Sequence, residues 1–253
     1  MKNKKSLGQH WLKDREILAE IADYGAAVAD EKTAALEIGP GLGTLTSVLV
    51  GRFPRVVAVE FDEELAAKLP KQFVGANLEV VRADFLTFDL TKMQDYVVVA
   101  NIPYYITAKI IQKLVEADKP PKRAVLLVQK EVAERIADGK KSSLLSLMVA
   151  ERAKATLGVI VGREHFTPPP KVDSQVLILD FGQWRLAESE RKQFWRAVKA
   201  GFSSPRKKLQ KNLGAIAAPE KIAQAFLELG ISDNARAEDL TFSAWQKLAK
   251  RLV

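Results

Sequence analysis

Asn101-Ile102-Pro103-Tyr104-Tyr105 follows directly on the apolar run from Tyr96 to Ala100. These residue types, in this order, suit methylation of an amino group conjugated to a π-system. Such an amine is a poor nucleophile, because its lone pair is delocalised into the ring. A side-chain amide oxygen and backbone carbonyls that accept its N–H hydrogens favour the pyramidal nitrogen of the transition state over the flat ground state. Asn101 offers the amide, Ile102 and Pro103 offer carbonyls, and Tyr104 offers a face on which a base can stack. Tyr105 reads as a packing residue. Upstream, Glu37-Ile38-Gly39-Pro40-Gly41-Leu42-Gly43 forms a loop whose glycines let the backbone approach a nucleotide-like ligand closely. Together the two motifs point to methylation of a nucleic-acid amine. The expected step is an in-line displacement in which the nitrogen attacks a sulfonium methyl. It needs no metal, covalent intermediate or dedicated base, since the newly methylated nitrogen is strongly acidic.

These groups must be carried by strand ends. Thr33 to Ile38, Val56 to Glu60, Leu78 to Arg82, Tyr96 to Ala100 and Ala124 to Gln129 read as buried strands. Helical patterns over 14–29, 44–50, 62–72, 107–116 and 130–137 alternate with them. The alternation predicts an α/β fold with a Rossmann-like, mainly parallel sheet covered on both faces. Ala153 to Val161 and Gln175 to Phe181 are expected to add strands at one edge. After Gly182 only helices are predicted, over 188–200, 205–212, 219–229 and 241–252. The chain therefore divides into an expected cofactor-binding domain, 1–182, and a small all-helical domain, 183–253.

In open parallel sheets, ligands bind at the carboxyl ends of the strands near the point where strand order reverses. Glu60 ends the second strand, where an acid grips ribose hydroxyls. Asp84 follows the third strand and can accept from an adenine amino group, and Asn101 ends the fourth. A helix-start carboxylate beside Asp62 is the structural alternative for Glu60, and a turn aspartate that for Asp84. A dinucleotide dehydrogenase is the rival for the whole site. Against it stand the Gly-x-Gly-x-Gly spacing and a loop with Pro40, Leu42 and no basic helper. Both suit a ligand without a pyrophosphate, such as S-adenosylmethionine.

Bulk properties narrow the classes further. The chain has 253 residues, no cysteine and two histidines far apart, His10 and His165. Disulfides and thiolate zinc sites are excluded, and no metal site is expected. No apolar run is long enough to span a bilayer, and the basic start lacks the apolar segment of a signal peptide. A cytoplasmic monomer is expected. Net charge is +8. Residues 183–253 hold 14 Lys/Arg against 7 Asp/Glu, a balance of +7, which leaves +1 for the remainder. A local basic surface suits a polyanion partner, and a solvated helical surface is the plainer reading.

Taken together, the motifs resemble the ribosomal small-subunit adenine dimethyltransferase family, over nearly the whole chain. Lys5-Ser6-Leu7-Gly8-Gln9-His10-Trp11-Leu12 resembles its Gly-Gln-Asn-Phe-Leu opening. Glu37 to Thr46, Val59-Glu60, Asp84 and Asn101 to Tyr105 match its motifs in order. Val128 to Ala133, Phe166 to Ser174 (F-T-P-P-P-K-V-D-S) and Gly201 to Leu209 match further segments. The resemblance implies S-adenosylmethionine as cofactor, held at His10, Leu12, Gly39, Gly41, Glu60, Asp84 and Asn101. It implies that Asn101, Ile102, Pro103 and Tyr104 receive the adenine amine, with Phe166 and Tyr104 sandwiching the flipped base. From pattern alone, Phe166 is a core aromatic and His10 a loop residue. Arg206, Lys207 and Lys208 fall in the family's basic segment, at an expected helix start, and are assigned to RNA. The implied substrate is a pair of adjacent adenines near the 3′ end of 16S rRNA, within a small-subunit precursor particle. Two alternatives share the Asn-Ile-Pro-Tyr turn or the scaffold: the large-subunit dimethyltransferase of macrolide resistance, and a catalytically silent RNA-binding factor. The departures are His10-Trp11 for Asn-Phe, Ser142 to Ser146 for Tyr-Gly-x-Leu-Ser, and Pro205 for a polar residue.

Overall fold

A computed structural model describes residues 10–252. They form two compact units, residues 10–134 with 153–182, and residues 135–152 with 183–252.

The first unit is built on nine strands: β1 (Trp11–Leu12), β2 (Ala34–Ile38), β3 (Val56–Glu60), β4 (Leu78–Arg82), β5 (Tyr96–Asn101), β6 (Arg123–Gln129), β7 (Ala153–Val161), β8 (Phe166–Thr167) and β9 (Ser174–Phe181). Seven of them form one sheet in the order β4-β3-β2-β5-β6-β9-β7. Neighbours from β4 through β6 are parallel, and β9 is antiparallel to both β6 and β7. Every residue of β2 and β3 is buried, as expected of parallel strands covered on both faces. The two late strands do join one side of the sheet. Only β7 forms the edge, because β9 pairs on both of its sides.

Helices α1 (Arg15–Ala26), α2 (Thr46–Leu49), α3 (Glu63–Gln72), α4 (Thr107–Glu116) and α5 (Lys130–Ala137) follow in chain order. Asp14 caps α1 by accepting from Glu16 and Ile17 N–H, and Asp62 caps α3 by accepting from Glu64 and Leu65 N–H. Leu18, Ile21 and Ala22 of α1 pack with Val97 and Val99 of β5 and Val125 and Leu127 of β6. On α4, Ile110, Ile111, Leu114 and Val115 are buried. Strand order reverses between β2 and β5, whose pairing ends at Leu36 and Val98. Beyond it, Gly39 and Asn101 stand at the mouth of the resulting crevice.

The second unit contains α6 (Leu144–Arg152), α7 (Glu188–Gly201), α8 (Leu209–Leu213), α9 (Pro219–Leu229) and α10 (Phe242–Leu252). Leu147 of α6 belongs to the same core as Phe194, Phe226 and Trp245. Glu151 is 1% exposed and accepts from Arg191 Nε at 2.7 Å and Trp195 Nε1 at 2.9 Å. These contacts group residues 135–152 with the C-terminal helices, where the sequence reading placed them within an uninterrupted domain 1–182. A second difference concerns residues 205–208, which form a turn rather than the first turn of a helix. Asn212 Nδ2 holds that turn by donating to the Gly201 and Ser204 carbonyls, at 2.6 and 3.0 Å. Among the described residues, no helix is long and apolar enough to cross a membrane.

Candidate functional site

A pocket in the first unit lies at the ends of β2, β3 and β5 and beside the turn after β4. It is lined by His10, Gly39, Gly41, Glu60, Asp84 and Asn101 to Tyr104, with Trp11, Glu37, Phe61 and Tyr105 also in its wall. The structure thus brings together nine of the sequence-selected residues. It does not bring Leu12 or Phe166 into that wall. Leu12 is 1% and Phe166 3% exposed, both within the core cluster, and they face each other across the antiparallel β1–β8 pair. Two apolar side chains on paired strands turn inward together, so the pattern reading of Phe166 as a core aromatic describes its placement. Arg206, Lys207 and Lys208 are exposed in the second unit, immediately before α8. Lys5 to Gln9 of the opening motif lie outside the described residues.

The glycine loop turns through positive φ at Gly39 (65°) and Gly41 (60°), a region costly for other residues. A Cβ on Gly39 would meet no atom within 4 Å, whereas one on Gly41 would lie 3.1 Å from Trp11 Nε1. The loop is therefore open at Gly39 and covered by the Trp11 indole at Gly41.

Glu60 is 6% exposed and ties this loop to β3. Its Oε2 accepts from Gly41 N–H at 3.0 Å and its Oε1 from Asp62 N–H at 2.7 Å. Asp62, not Glu60, caps the helix, so Glu60 is an oriented carboxylate at the pocket wall. Each oxygen retains a further lone pair for a ligand hydroxyl. Burial pushes its pKa up, and the backbone donors from Asp62 and Gly41 pull against that shift. Asp84 accepts from Leu86 N–H through Oδ1 at 2.8 Å and opens a short turn, Phe85–Thr87.

The sequence reading placed Glu37 at the start of the glycine loop and of the Glu37 to Thr46 motif, without a role of its own. Glu37 is 1% exposed, and burial raises its pKa from 4.5 to about 8, with the Glu60 charge adding to the rise. Thr46 Oγ1 donates to its Oε2 at 2.7 Å. Glu37 therefore favours its neutral form near pH 7. The signal for it is an acid inside an otherwise apolar strand.

Asn101 closes β5, and its Nδ2 donates to the His10 carbonyl at 3.1 Å. A carbonyl only accepts, so this contact assigns the amide orientation and leaves Oδ1 as the acceptor. The Pro103 carbonyl already accepts from Ile106 N–H at 3.2 Å and Thr107 Oγ1 at 3.4 Å, which form the turn into α4. Tyr104 shares a 2.7 Å hydrogen bond with Ser174 Oγ, whose residue is fully buried at the start of β9. Burial raises the Tyr104 pKa, the Ser174 bond lowers it and the Asp173 charge raises it. The net rise keeps the phenol neutral at physiological pH. It cannot act as an anionic base there, and its ring is the useful surface. Ser174, bonded to Tyr104, and Trp11, beside Gly41, support the pocket wall, and neither is among the site residues selected from the sequence.

The profile of the ribosomal RNA adenine dimethylase family matches residues 1–253. Among relatives, a protein named ribosomal RNA small subunit methyltransferase A from Gloeobacter violaceus is 40% identical over 98% of this chain and 93% of its own length. The protein of that name from Thermosynechococcus vestitus is 37% identical, over 98% and 96%. Among solved structures, the 23S rRNA methyltransferase ErmE aligns with a TM-score of 0.81 at 29% identity, covering 96% of this chain and 99% of its own. A dimethyladenosine transferase from Plasmodium falciparum aligns with a TM-score of 0.75 at 28% identity, covering 94% and 96%.

Proposed function

Because this chain belongs to the ribosomal RNA adenine dimethylase family, we propose that its pocket presents two adjacent adenines near the 3′ end of 16S rRNA, in turn, to a single methyl-donor site that is reloaded for each of the four transfers. The chain is an S-adenosylmethionine-dependent rRNA adenine dimethyltransferase. The open, positive-φ glycine loop beside an oriented acid fits that cofactor. When bound, S-adenosylmethionine supplies an electrophilic methyl group on its sulfonium. The remaining work is positioning and electrostatics by this chain's residues. Gly39 and Gly41 give backbone access, Glu60 takes the ribose hydroxyls and Asp84 takes the adenine amino group of the cofactor.

On the substrate side, Asn101 Oδ1 accepts an N–H of the target amine, helped by the Ile102 carbonyl. The Pro103 carbonyl serves the turn that shapes the site, and Tyr104 stacks on the extruded base. The observation that carries this reading is the assigned amide of Asn101, with Oδ1 left to accept in the pocket that also holds the glycine loop and Glu60. Arg206, Lys207 and Lys208 bind rRNA phosphates. The setting is a small-subunit precursor particle in the cytoplasm, with the enzyme acting as a monomer.

The test is mass spectrometry of rRNA after unmethylated small and large subunits are each incubated with the protein and S-adenosylmethionine. Two adjacent dimethyladenines near the 3′ end of 16S rRNA are expected. Methylation confined to 23S rRNA would favour the large-subunit alternative. No methylation of either RNA would leave the silent RNA-binding factor.

A further inference from the structure

The turn after β4 is held both from within and from outside. Within it, Asp84 Oδ1 accepts from Leu86 N–H at 2.8 Å, and the Asp84 carbonyl accepts from Thr87 N–H and Phe88 N–H at 3.0 Å each. From outside comes Lys113 of α4, whose Nζ donates to the Leu86 carbonyl at 2.9 Å. The same ammonium lies 5.5 Å from the centre of the Phe85 ring, a cation–π contact. Leu86 is therefore gripped at its N–H by Asp84 and at its carbonyl by Lys113. Phe85 is 4% exposed, and it lines the pocket together with Asp84 and Leu86.

An ammonium is a costly group to place here. Lys113 is only partly exposed, and burial lowers its pKa against the pull of the Asp84 and Asp89 charges. The packing of α4 does not call for it, since Ile110, Ile111, Leu114 and Val115 supply the buried face. Its two contacts direct the charge to the turn that carries Asp84. Helix α4 also starts directly after the Asn101 to Tyr104 turn, and Lys113 lies six residues past its first residue, Thr107. That is about 9 Å along the axis at 1.5 Å per residue. One helix thus joins the turn that accepts the target amine to the turn that carries Asp84.

We propose that Lys113 is a positioning residue for recognition of the cofactor's base: by fixing the Leu86 peptide and the Phe85 ring, it holds the Asp84 carboxylate set to accept from an amino group. This rests on the reading of Asp84 as the acceptor for the adenine amino group of the cofactor. A carboxylate only accepts. A site built on one favours adenine over a base with a carbonyl in place of the amino group, because two acceptors repel. The preference depends on how closely the carboxylate is held. Lys113 acts through Asp84 and Phe85, not on the reacting atoms.

The test is calorimetry on the cofactor-free protein with S-adenosylhomocysteine and with its 6-oxo analogue, S-inosylhomocysteine. It compares wild type with Lys113→Met, which keeps length and helix propensity without donor or charge, and with Lys113→Arg, which keeps both. Wild type is expected to prefer the amino ligand by roughly tenfold or more, the discrimination a charge-assisted hydrogen bond provides. In Lys113→Met the S-adenosylhomocysteine affinity should fall by about fivefold while that of the 6-oxo ligand changes by less than about twofold, and Lys113→Arg should keep most of the preference. An unchanged preference in Lys113→Met overturns the inference. So does an equal loss for both ligands or a failure to unfold cooperatively in urea, either of which would make Lys113 a residue of the fold alone. A Lys113→Arg variant as poor as Lys113→Met overturns it too. Wild type separates the two levels. If it prefers the amino ligand, the variants judge Lys113 alone; if it binds both equally, the reading of Asp84 falls and the inference with it.

Discussion

Replacing Glu37 by Gln in the cofactor-free protein should change how stability depends on pH. Gln has nearly the same shape and still accepts from Thr46 Oγ1, so packing is preserved while the titration is removed. In the folded state the Glu37 pKa is about 8, against 4.5 for an ordinary glutamate. Between those values the folded protein holds a proton that the unfolded chain has released, so stability falls as pH rises. The contribution of this group is fully present below about pH 4.5 and is lost as pH rises through about 8. At about 1.36 kcal/mol per pH unit, wild type should lose about 2.5–3 kcal/mol between pH 6 and 9 that the variant keeps. The assay is urea unfolding of both proteins across that range, read as the difference between them, so that shared titrations cancel. Parallel curves would refute the reasoning, because they would mean that Glu37 does not change its charge in the folded state.

Asn101→Ala should lower kcat by about a hundredfold or more, the cost of losing a well-placed polar group at the reacting centre, with circular dichroism unchanged; near-normal turnover removes its assigned role. Glu60→Ala should weaken S-adenosylmethionine binding by at least about tenfold, since it loses a charge-assisted hydrogen bond to the ligand and the two backbone donors that hold the loop. Calorimetry checks this, and unchanged affinity would leave Glu60 as a loop brace. Replacing Arg206, Lys207 and Lys208 together by Gln should weaken particle binding and reduce the slope of log affinity against log salt by about 2, at roughly 0.7 per contact. S-adenosylmethionine affinity should stay the same, and superimposable salt series would return the three to solvated surface charge.

The parallel sheet was legible because its strands are short apolar runs closed by turn residues. Val56–Glu60 and Leu78–Arg82 fall at the bounds read from the sequence. The site was legible for a related reason, since a parallel sheet brings its strand ends to one side. Polar or glycine-rich groups at successive ends therefore had to meet. What escaped depends on partners distant in sequence. Helix α6 buries Ser146, Glu151 and Arg152, so it lacks a clean apolar stripe, and the donors to Glu151 come from Arg191 and Trp195. The β1–β8 pair is two residues long, too short for a period to show. Helix α8 begins at Leu209, past Arg206, Lys207 and Lys208, because the Asn212 side chain closes a turn ahead of it. Three cations in a first helical turn would also oppose the helix dipole.

Glu37 and Glu60 show why residue type alone is an incomplete guide to this pocket. Both are acids at neighbouring strand ends and both are almost fully buried. Two buried carboxylates close together cannot both ionise cheaply. Their backbone surroundings decide which one does. Glu60 receives N–H donors from Gly41 and Asp62, and these favour its charged form. Glu37 has the Thr46 hydroxyl and the deeper burial, and it takes the proton. Burial raises the Glu60 pKa as well, but its backbone donors pull against the rise. The glycine loop also supplies, through Gly41 N–H, one of the bonds that favour the charged form of Glu60. The backbone geometry set by the glycines and the electrostatics of the pocket are therefore one feature of the site.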